Sequence, residues 1–156
     1  MRRLTLELFS HGVVLAIGFA LGIYFLPILT APPSPDASTL EQAAKDAVFE
    51  VALAEGLRGN DTLHRGEGKV SITRTQIVHT GRLAPGPDYM VYLVPQFVEH
   101  KDEFAPLREK SRVIGSVKSF NGFTLDLPGD VDPAQFTTVL IWCEAFGEFI
   151  AAGKYR

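Results

Sequence analysis

The sequence predicts an all-β fold: a sandwich-like, β-rich ectodomain preceded by one transmembrane helix and one short amphipathic helix. Three observations predict it: an uncharged run near the N-terminus, a helical stripe after a proline-rich stretch, and a series of short β-like runs from residue 68 onward. Because no helical segments alternate with these runs, βαβ units are disfavoured, and a sandwich or barrel is favoured.

The N-terminal run, residues 12–29, is long enough to span a membrane. Its 18 uncharged residues would extend about 27 Å as a helix, and the hydrocarbon core of a bilayer is about 30 Å thick. A cleaved signal usually has a shorter apolar region, and the candidate cleavage site after Ala31 would be followed by Pro32. We therefore expect an uncleaved anchor that contacts membrane lipid. A cleaved signal and a buried helix of a soluble protein are the alternatives.

The charges that flank this run predict its orientation. Arg2 and Arg3 precede it, whereas no lysine or arginine follows it until Lys45. Because positive charge stays on the cytoplasmic side, we expect a single-pass membrane protein with a cytoplasmic N-terminus and a periplasmic or extracellular domain. Within the run, Gly18 and Gly22 have the spacing that lets two helices approach closely, which would allow a homodimer.

Composition divides the chain into three parts: an anchor at 1–30, a proline-rich spacer with a short helix at 31–56, and a β-sandwich domain at 57–156. The length of the last part is enough for one hydrophobic core. The net charge of −3 and the pI of about 5.8 argue against nucleic acid as a partner, since nucleic-acid binders carry basic patches.

Local signals place several elements. Ser38 and Glu41 have the spacing of a capping box, and apolar residues then recur at helical spacing, which predicts a helix over 39–54. Asn121-Gly122 lies between two β-like runs and predicts a hairpin.

Two proline-containing turns also stand out. Gly86-Pro87-Asp88 precedes the run YMVYLV, and we expect Gly86 to supply a backbone conformation that other residues resist. Asp132-Pro133 has the residue types of an N-cap and the first position of a single helical turn.

The search for catalytic motifs finds none of the common ones. The sequence contains no GxSxG, HExxH, P-loop or CxxC motif, so we do not expect a stand-alone enzyme. Among the histidines, His64 precedes the first strand of the domain in a glycine-flanked segment, where backbone groups can approach a ligand closely. His79 is interpreted as an ordinary polar position at a strand end.

The single cysteine, Cys143, is the main candidate for chemistry. Strand alternation places it on the same face as Val139 and Ile141, which predicts that the thiol points into the core. The neighbouring charge of Glu144 disfavours a thiolate. Outside the cytoplasm, however, an unpaired thiol implies an intermolecular bond, a ligand to a bound group or a reactive site. The sequence therefore leaves two roles for Cys143 open: a buried core residue and a redox-active residue.

Four fragments then occur in a fixed order: LHRGEGKV from Leu63, PGPDYMVYL from Pro85, VIGSVKSFNGFTLDLP from Val113, and FTTVLIWCEAFGEFIAAG from Phe136. In this order and spacing, the chain resembles the electron-transfer DM domain family, the module called DM-thirteen. The resemblance covers about residues 57–156.

The resemblance implies a β-rich extracytoplasmic module with a redox or electron-transfer role. Cys143 matches the family cysteine, for which a bare redox thiol or a prosthetic group has been considered, so the cofactor is unknown, with haem or copper as the choices. His64 matches the early histidine of the family and is the second candidate ligand; the metal, if any, is unknown. A separate redox protein would be the electron partner. The alternative is a non-catalytic interaction module in which Cys143 is part of the core.

Overall fold

The computed structural model describes residues 2–156 and is mostly β. Two helices, α1 (Arg2–Thr30) and α2 (Ala37–Ala44), precede the strands. The strands are β1 (Phe49–Ala52), β2 (Gly66–Ile72), β3 (Gln76–Leu83), β4 (Tyr89–Val94), β5 (Arg112–Ser116), β6 (Phe123–Asp126), β7 (Thr138–Cys143) and β8 (Glu148–Lys154). A third helix, α3 (Lys101–Phe104), and two 3₁₀ turns, Ala105–Lys110 and Pro133–Gln135, lie between strands, so the fold is not strictly all-β.

The strands form two antiparallel sheets of four, in the orders β1-β2-β3-β6 and β5-β4-β7-β8. The first apolar cluster contains buried residues from both sheets, among them Val70, Ile77, Val91 and Ile141. A second cluster, with Trp142 and Phe149, lies on the opposite face of the second sheet, under α3. This two-layer arrangement is the one that a sandwich requires.

The helix α1 is long and apolar enough to cross a membrane. Its most apolar window has a mean hydropathy of 2.3, and none of that window is buried against the rest of the chain. A core helix of a soluble protein would be mostly buried, so this exposure argues against that alternative. A signal sequence would pass the same test of length and composition, and the orientation of the chain stays a prediction.

The expected helix over 39–54 is wrong in its second half. The helix α2 ends at Ala44, and Phe49–Ala52 is instead the edge strand β1, paired with β2. Its N-cap is Asp36, whose carboxylate accepts a hydrogen bond from the Thr39 amide at 2.7 Å, and not Ser38. Backbone pairing with β2 outweighs the local helical pattern, because it satisfies the backbone groups of 49–52.

The hairpin predicted at Asn121-Gly122 is also wrong. The strands on either side, β5 and β6, pair with β4 and β3 and therefore belong to different sheets. The loop 117–122 crosses from one sheet to the other. It is held to both of them, since the Val117 amide donates to the Tyr89 carbonyl and the Leu83 amide donates to the Phe120 carbonyl, each at 2.8 Å.

Four loops meet at one end of the two sheets, which we call the loop end: residues 53–65, 84–88, 117–122 and 144–147. They meet there because β2, β4, β6 and β8 begin, and β3, β5 and β7 finish, at this end. The Ala84 amide donates to the Arg65 carbonyl at 2.9 Å, which joins two of the loops directly. The side chains of these loops are therefore the ones the fold brings together.

Two glycines lie opposite each other in the β2–β3 pair, where the two backbones approach closely. They are Gly68 and Gly81, both with positive φ, at +114° and +155°. A Cβ on Gly68 would overlap the Thr80 carbonyl, and a Cβ on Gly81 would overlap the Glu67 carbonyl. Glycine is needed here because both the backbone conformation and the close approach exclude a side chain.

We therefore expect Gly68→Ala to lower the free energy of unfolding by about 2–4 kcal/mol, from φ strain and overlap together. Gly129→Ala is the matched control, since nothing lies within 4 Å of a Cβ there, and it should change stability by less than about 0.5 kcal/mol. Thermal unfolding of the detergent-solubilised chain measures both. Equal losses in the two variants would contradict the crowding argument.

Candidate functional site

Cys143 is the last residue of β7 and lies at the loop end. Its side chain packs in the first apolar cluster with Val139 and Ile141, whereas Leu140 and Trp142 belong to the second. The predicted face is therefore confirmed. Only 1% of Cys143 is exposed, so the thiol is covered in this conformation.

The cover is the turn 86–88. The Cys143 thiol donates a hydrogen bond to the Pro87 carbonyl at 3.2 Å. The next residue binds the same turn, since the Glu144 amide donates to the Asp88 carbonyl at 3.0 Å. Two adjacent residues of one chain segment thus hold the three-residue turn over the sulfur.

The role expected for Gly86 needs correction. Asp88, with φ of +51°, has the unusual backbone conformation in this turn, and Gly86 does not. Gly86 is needed for a different reason: a Cβ there would lie 2.7 Å from Cζ of the Tyr89 ring and closer still to its hydroxyl. The glycine leaves room for Tyr89 under the turn. By contrast, Asp132 and Pro133 cap and begin a 3₁₀ turn, as predicted.

Opposing effects set the acidity of the thiol. Burial raises the pKa of Cys143, and the charges of Asp88 and Glu144 raise it further. The backbone amides of Phe146 and Ala145 act in the other direction, because they donate towards the sulfur and lower its pKa. The net direction is upward, so the covered sulfur is a protonated thiol at neutral pH.

Tyr89 lies beside Cys143 at the loop end. It pairs directly with Cys143 in the β4–β7 ladder and is almost fully buried against the Phe120 ring, at 6.0 Å between centroids. Burial raises the pKa of its phenol, and the negative charges that Cys143 and Asp61 carry at high pH raise it further.

His64 lies in the 53–65 loop at the same end. Its Nδ1 is 2.8 Å from Oδ2 of Asp61, and the other oxygen of that carboxylate accepts from the amides of Leu63 and His64 at 2.7 Å. The bond to His64 lowers the pKa of Asp61. Asn60 fixes the loop on β8 by donating to the Ile150 carbonyl at 2.8 Å. The fold thus brings His64 and Cys143 to one end but not into contact.

This arrangement does not fit a haem or copper site. The Cys143 sulfur donates to a carbonyl inside the core, whereas a metal needs a thiolate and several converging donors. Among residues 2–156, no three His, Cys, Asp or Glu side chains lie where they could hold a metal ion. Asp61 with His64 is a pair of such groups and no more. The donors around the sulfur suit a bare thiol.

A polar cluster beside Cys143 was not foreseen from the sequence. Glu144 accepts from the Tyr92 hydroxyl with one oxygen and from Nη2 of Arg108 with the other, at 2.5 Å. Burial, with Glu144 as the next cause, raises the pKa of Tyr92 to about 12. The cluster fastens the Ala105–Lys110 turn to the sheet. Only the β4–β7 pairing makes it visible, because the residues are far apart in sequence.

His79 is also different from what the sequence indicated. It is completely buried within β3, where its Nε2 donates to the Glu67 carbonyl at 3.1 Å and its ring packs on Phe123. The other ring nitrogen, Nδ1, is buried and has no hydrogen-bond partner within residues 2–156. Burial lowers the pKa of His79, because a charged imidazole would lose its hydration there.

We therefore expect stability to fall as the pH drops from 7 towards 5. Above the ordinary histidine pKa of about 6.5 both states are neutral. Below it the imidazole is protonated in the unfolded chain but stays neutral in folded His79. The free energy of unfolding therefore falls by at most about 1.4 kcal/mol per pH unit, until the lowered pKa of the folded state is reached. His79→Phe should flatten this dependence, as measured by thermal unfolding across the pH range.

Phe123→Leu serves as the control for His79→Phe, since it loosens the same packing but keeps the imidazole. It should lower stability at every pH and retain the slope. If His79→Phe kept the full slope, the buried imidazole would not be its source.

Comparison with known families and proteins supports an assignment. The model of the family described as Electron transfer DM13 matches residues 39–155, which is most of the chain. The matched region begins within α2 and includes all eight strands. No curated protein and no solved structure matches the chain. From its β-rich fold and this match, the chain belongs to the electron transfer DM13 family.

Proposed function

We propose that the chain is a membrane-anchored, extracytoplasmic accessory in electron transfer, and that Cys143 is its redox-active group. Membership of an electron-transfer family supports the general role. One observation carries the assignment to the cysteine: the only thiol of the chain lies at the loop end, beneath a single three-residue turn and not deep in the middle of a sheet. The anchor is α1, with the domain outside the cytoplasm.

The surroundings of the sulfur suit a thiol that reacts only when uncovered. Burial is the largest cause of its raised pKa, and that cause disappears when the turn 86–88 lifts and water enters. The amides of Ala145 and Phe146 belong to the loop between β7 and β8 and remain in place. They would then stabilise the thiolate, as backbone donors do for other anions. Opening of the turn therefore switches the group from an inert to a nucleophilic form.

A lone thiol determines the reaction class. No internal disulfide can form among the residues of this chain, since Cys143 is its only cysteine. The oxidant must therefore be the disulfide of a separate redox protein. The Cys143 thiolate attacks one sulfur of that disulfide to form a mixed disulfide, and the other partner sulfur leaves as a thiolate. A thiolate from a dithiol of a second redox protein then attacks the Cys143 sulfur and releases the first partner as a dithiol. The other thiolate of that second protein attacks its own mixed-disulfide sulfur, which frees the Cys143 thiolate and leaves the second protein as a disulfide, so two electrons pass from the second protein to the first.

The second candidate function is a non-catalytic interaction module with Cys143 as part of the core. The near-complete burial of the thiol and its bond to Pro87 favour it, because buried cysteine commonly acts as a small apolar residue. In this case the anchor would serve to present the domain. Self-association through Gly18 and Gly22 suits either function, since a Cβ on either glycine would meet nothing within 4 Å and the helix face is free.

The rate of thiol labelling separates the two functions. With an aromatic disulfide reagent and the full chain in membranes, we expect slow labelling of Cys143 through local opening of the turn. Gly86→Ala should accelerate it about tenfold, which corresponds to about 1.4 kcal/mol less stability of the closed turn. Gly129→Ala, in open space, should leave the rate unchanged.

If Cys143 is only a core residue of an interaction module, the same measurement should give a different result. Labelling would then occur only at the rate of global unfolding, and Gly86→Ala would change it only as far as it changes the melting temperature. That result would remove Cys143 from the redox proposal and leave the interaction module.

A further inference from the structure

The spacer after α1 joins the domain at the loop end and not at the other. The Asn121 amide donates a hydrogen bond to Oγ of Ser34 at 3.2 Å. Leu40 of α2 packs against Gly122, in the same crossing loop. The chain therefore enters the domain beside the loops 117–122 and 84–88, and α2 then runs towards the opposite end, where the Val48 amide donates to the Ile72 carbonyl.

The tether between the apolar run and this attachment point is short. Ser34 lies five positions after the last residue of the run, at position 29, and five fully extended residue steps reach at most about 18 Å. The headgroup layer beyond the hydrocarbon core takes up about 5–8 Å of that length. The opposite end lies a further distance of about 25 Å, the length of an eight-residue strand such as β3. The loop end is thus the end held near the bilayer.

A cleft at the loop end also includes a residue of α1. Its volume is about 580 Å³, and its walls are formed by Tyr24, by residues 55–56, 60–63 and 65–67, and by residues 82–85. Tyr24 lies six residues before the end of α1. Tyrosine is enriched where a membrane-spanning helix crosses the headgroup layer. The loops and the last turns of α1 are therefore side by side.

The loop end has the surface that such a position requires. Leu63 and Phe146 come from separate loops and are 55% and 54% exposed, the highest values among the large apolar side chains of residues 31–156. Lys118, on the crossing loop at the same end, is exposed as well. Apolar side chains and a lysine exposed at one end of a domain match the acyl boundary and the anionic headgroups of a bilayer surface.

We infer that the loop end is a lipid-docking surface. Leu63 and Phe146 lie in the headgroup layer of the bilayer that holds α1, and Lys118 contacts anionic headgroups. This inference rests on the proposed anchoring by α1, but not on any redox role. It also places the turn 86–88 at the membrane surface, because that turn belongs to the same end.

Site-directed spin labelling of the full chain tests the inference. Single cysteines are introduced as Phe146→Cys at the loop end, Val48→Cys at the opposite end and Ile17→Cys within α1, in the Cys143→Ala background. The chain is placed in bilayers of phosphatidylcholine with phosphatidylglycerol. The relative accessibility of each nitroxide to oxygen and to a polar nickel complex gives its depth. Leu63→Cys is a second probe of the docking surface.

We expect the label at 17 to be deep in the bilayer, those at 146 and 63 to be in the headgroup layer, and that at 48 to be in water. Labels at 146 and 48 that are equally accessible to nickel, with 17 deep, would overturn the docking surface and leave the anchor intact. A water-exposed label at 17 would overturn the anchoring and the inference with it. The probes are repeated with Cys143 kept, against the labelled parent chain, so that the result does not depend on the folding of Cys143→Ala.

Discussion

The antiparallel pairing of β4 with β7 is the interaction on which the site depends. It places Tyr89 opposite Cys143 and brings the turn before β4 over the end of β7. The same pairing places Tyr92 opposite Leu140, from where its hydroxyl donates to Glu144. Arg108 donates to the other oxygen of that carboxylate and so fastens the turn Ala105–Lys110 to the sheet. The two central strands of one sheet therefore position the thiol, its cover and the charged cluster beside it.

The environment of Cys143 combines two tendencies that are usually found at different cysteines. Packing against Ile141 and the bond to the Pro87 carbonyl keep the sulfur neutral and covered. The amides of the β7–β8 turn would stabilise its charged form. Burial dominates while the turn is closed, since loss of hydration costs a thiolate more than two backbone donors return. The position of one short turn therefore decides which tendency prevails.

Sequence reasoning works best here where local pattern and tertiary structure agree. The alternation around Cys143, the apolar run of α1 and the Asp132-Pro133 turn were all predictable, because each depends on neighbours in sequence. The Asn121-Gly122 hairpin was not, because which strands pair is decided by distant residues. The burial of His79 could not be predicted for a similar reason: it depends on the approach of Glu67 and Phe123 across the sheet.

The double fastening of the turn 86–88 has a consequence for the lifetime of a modified state. Cys143 and Glu144 hold adjacent carbonyls of the turn, so the space between sulfur and turn fits a hydrogen and little else. Any adduct larger than that acts as a wedge, and the turn cannot close while the covalent bond lasts. A covalent adduct on the Cys143 sulfur would therefore keep the turn 86–88 open and change the shape of the loop end. This open state would last after the partner has reacted, until a thiol reduces the mixed disulfide.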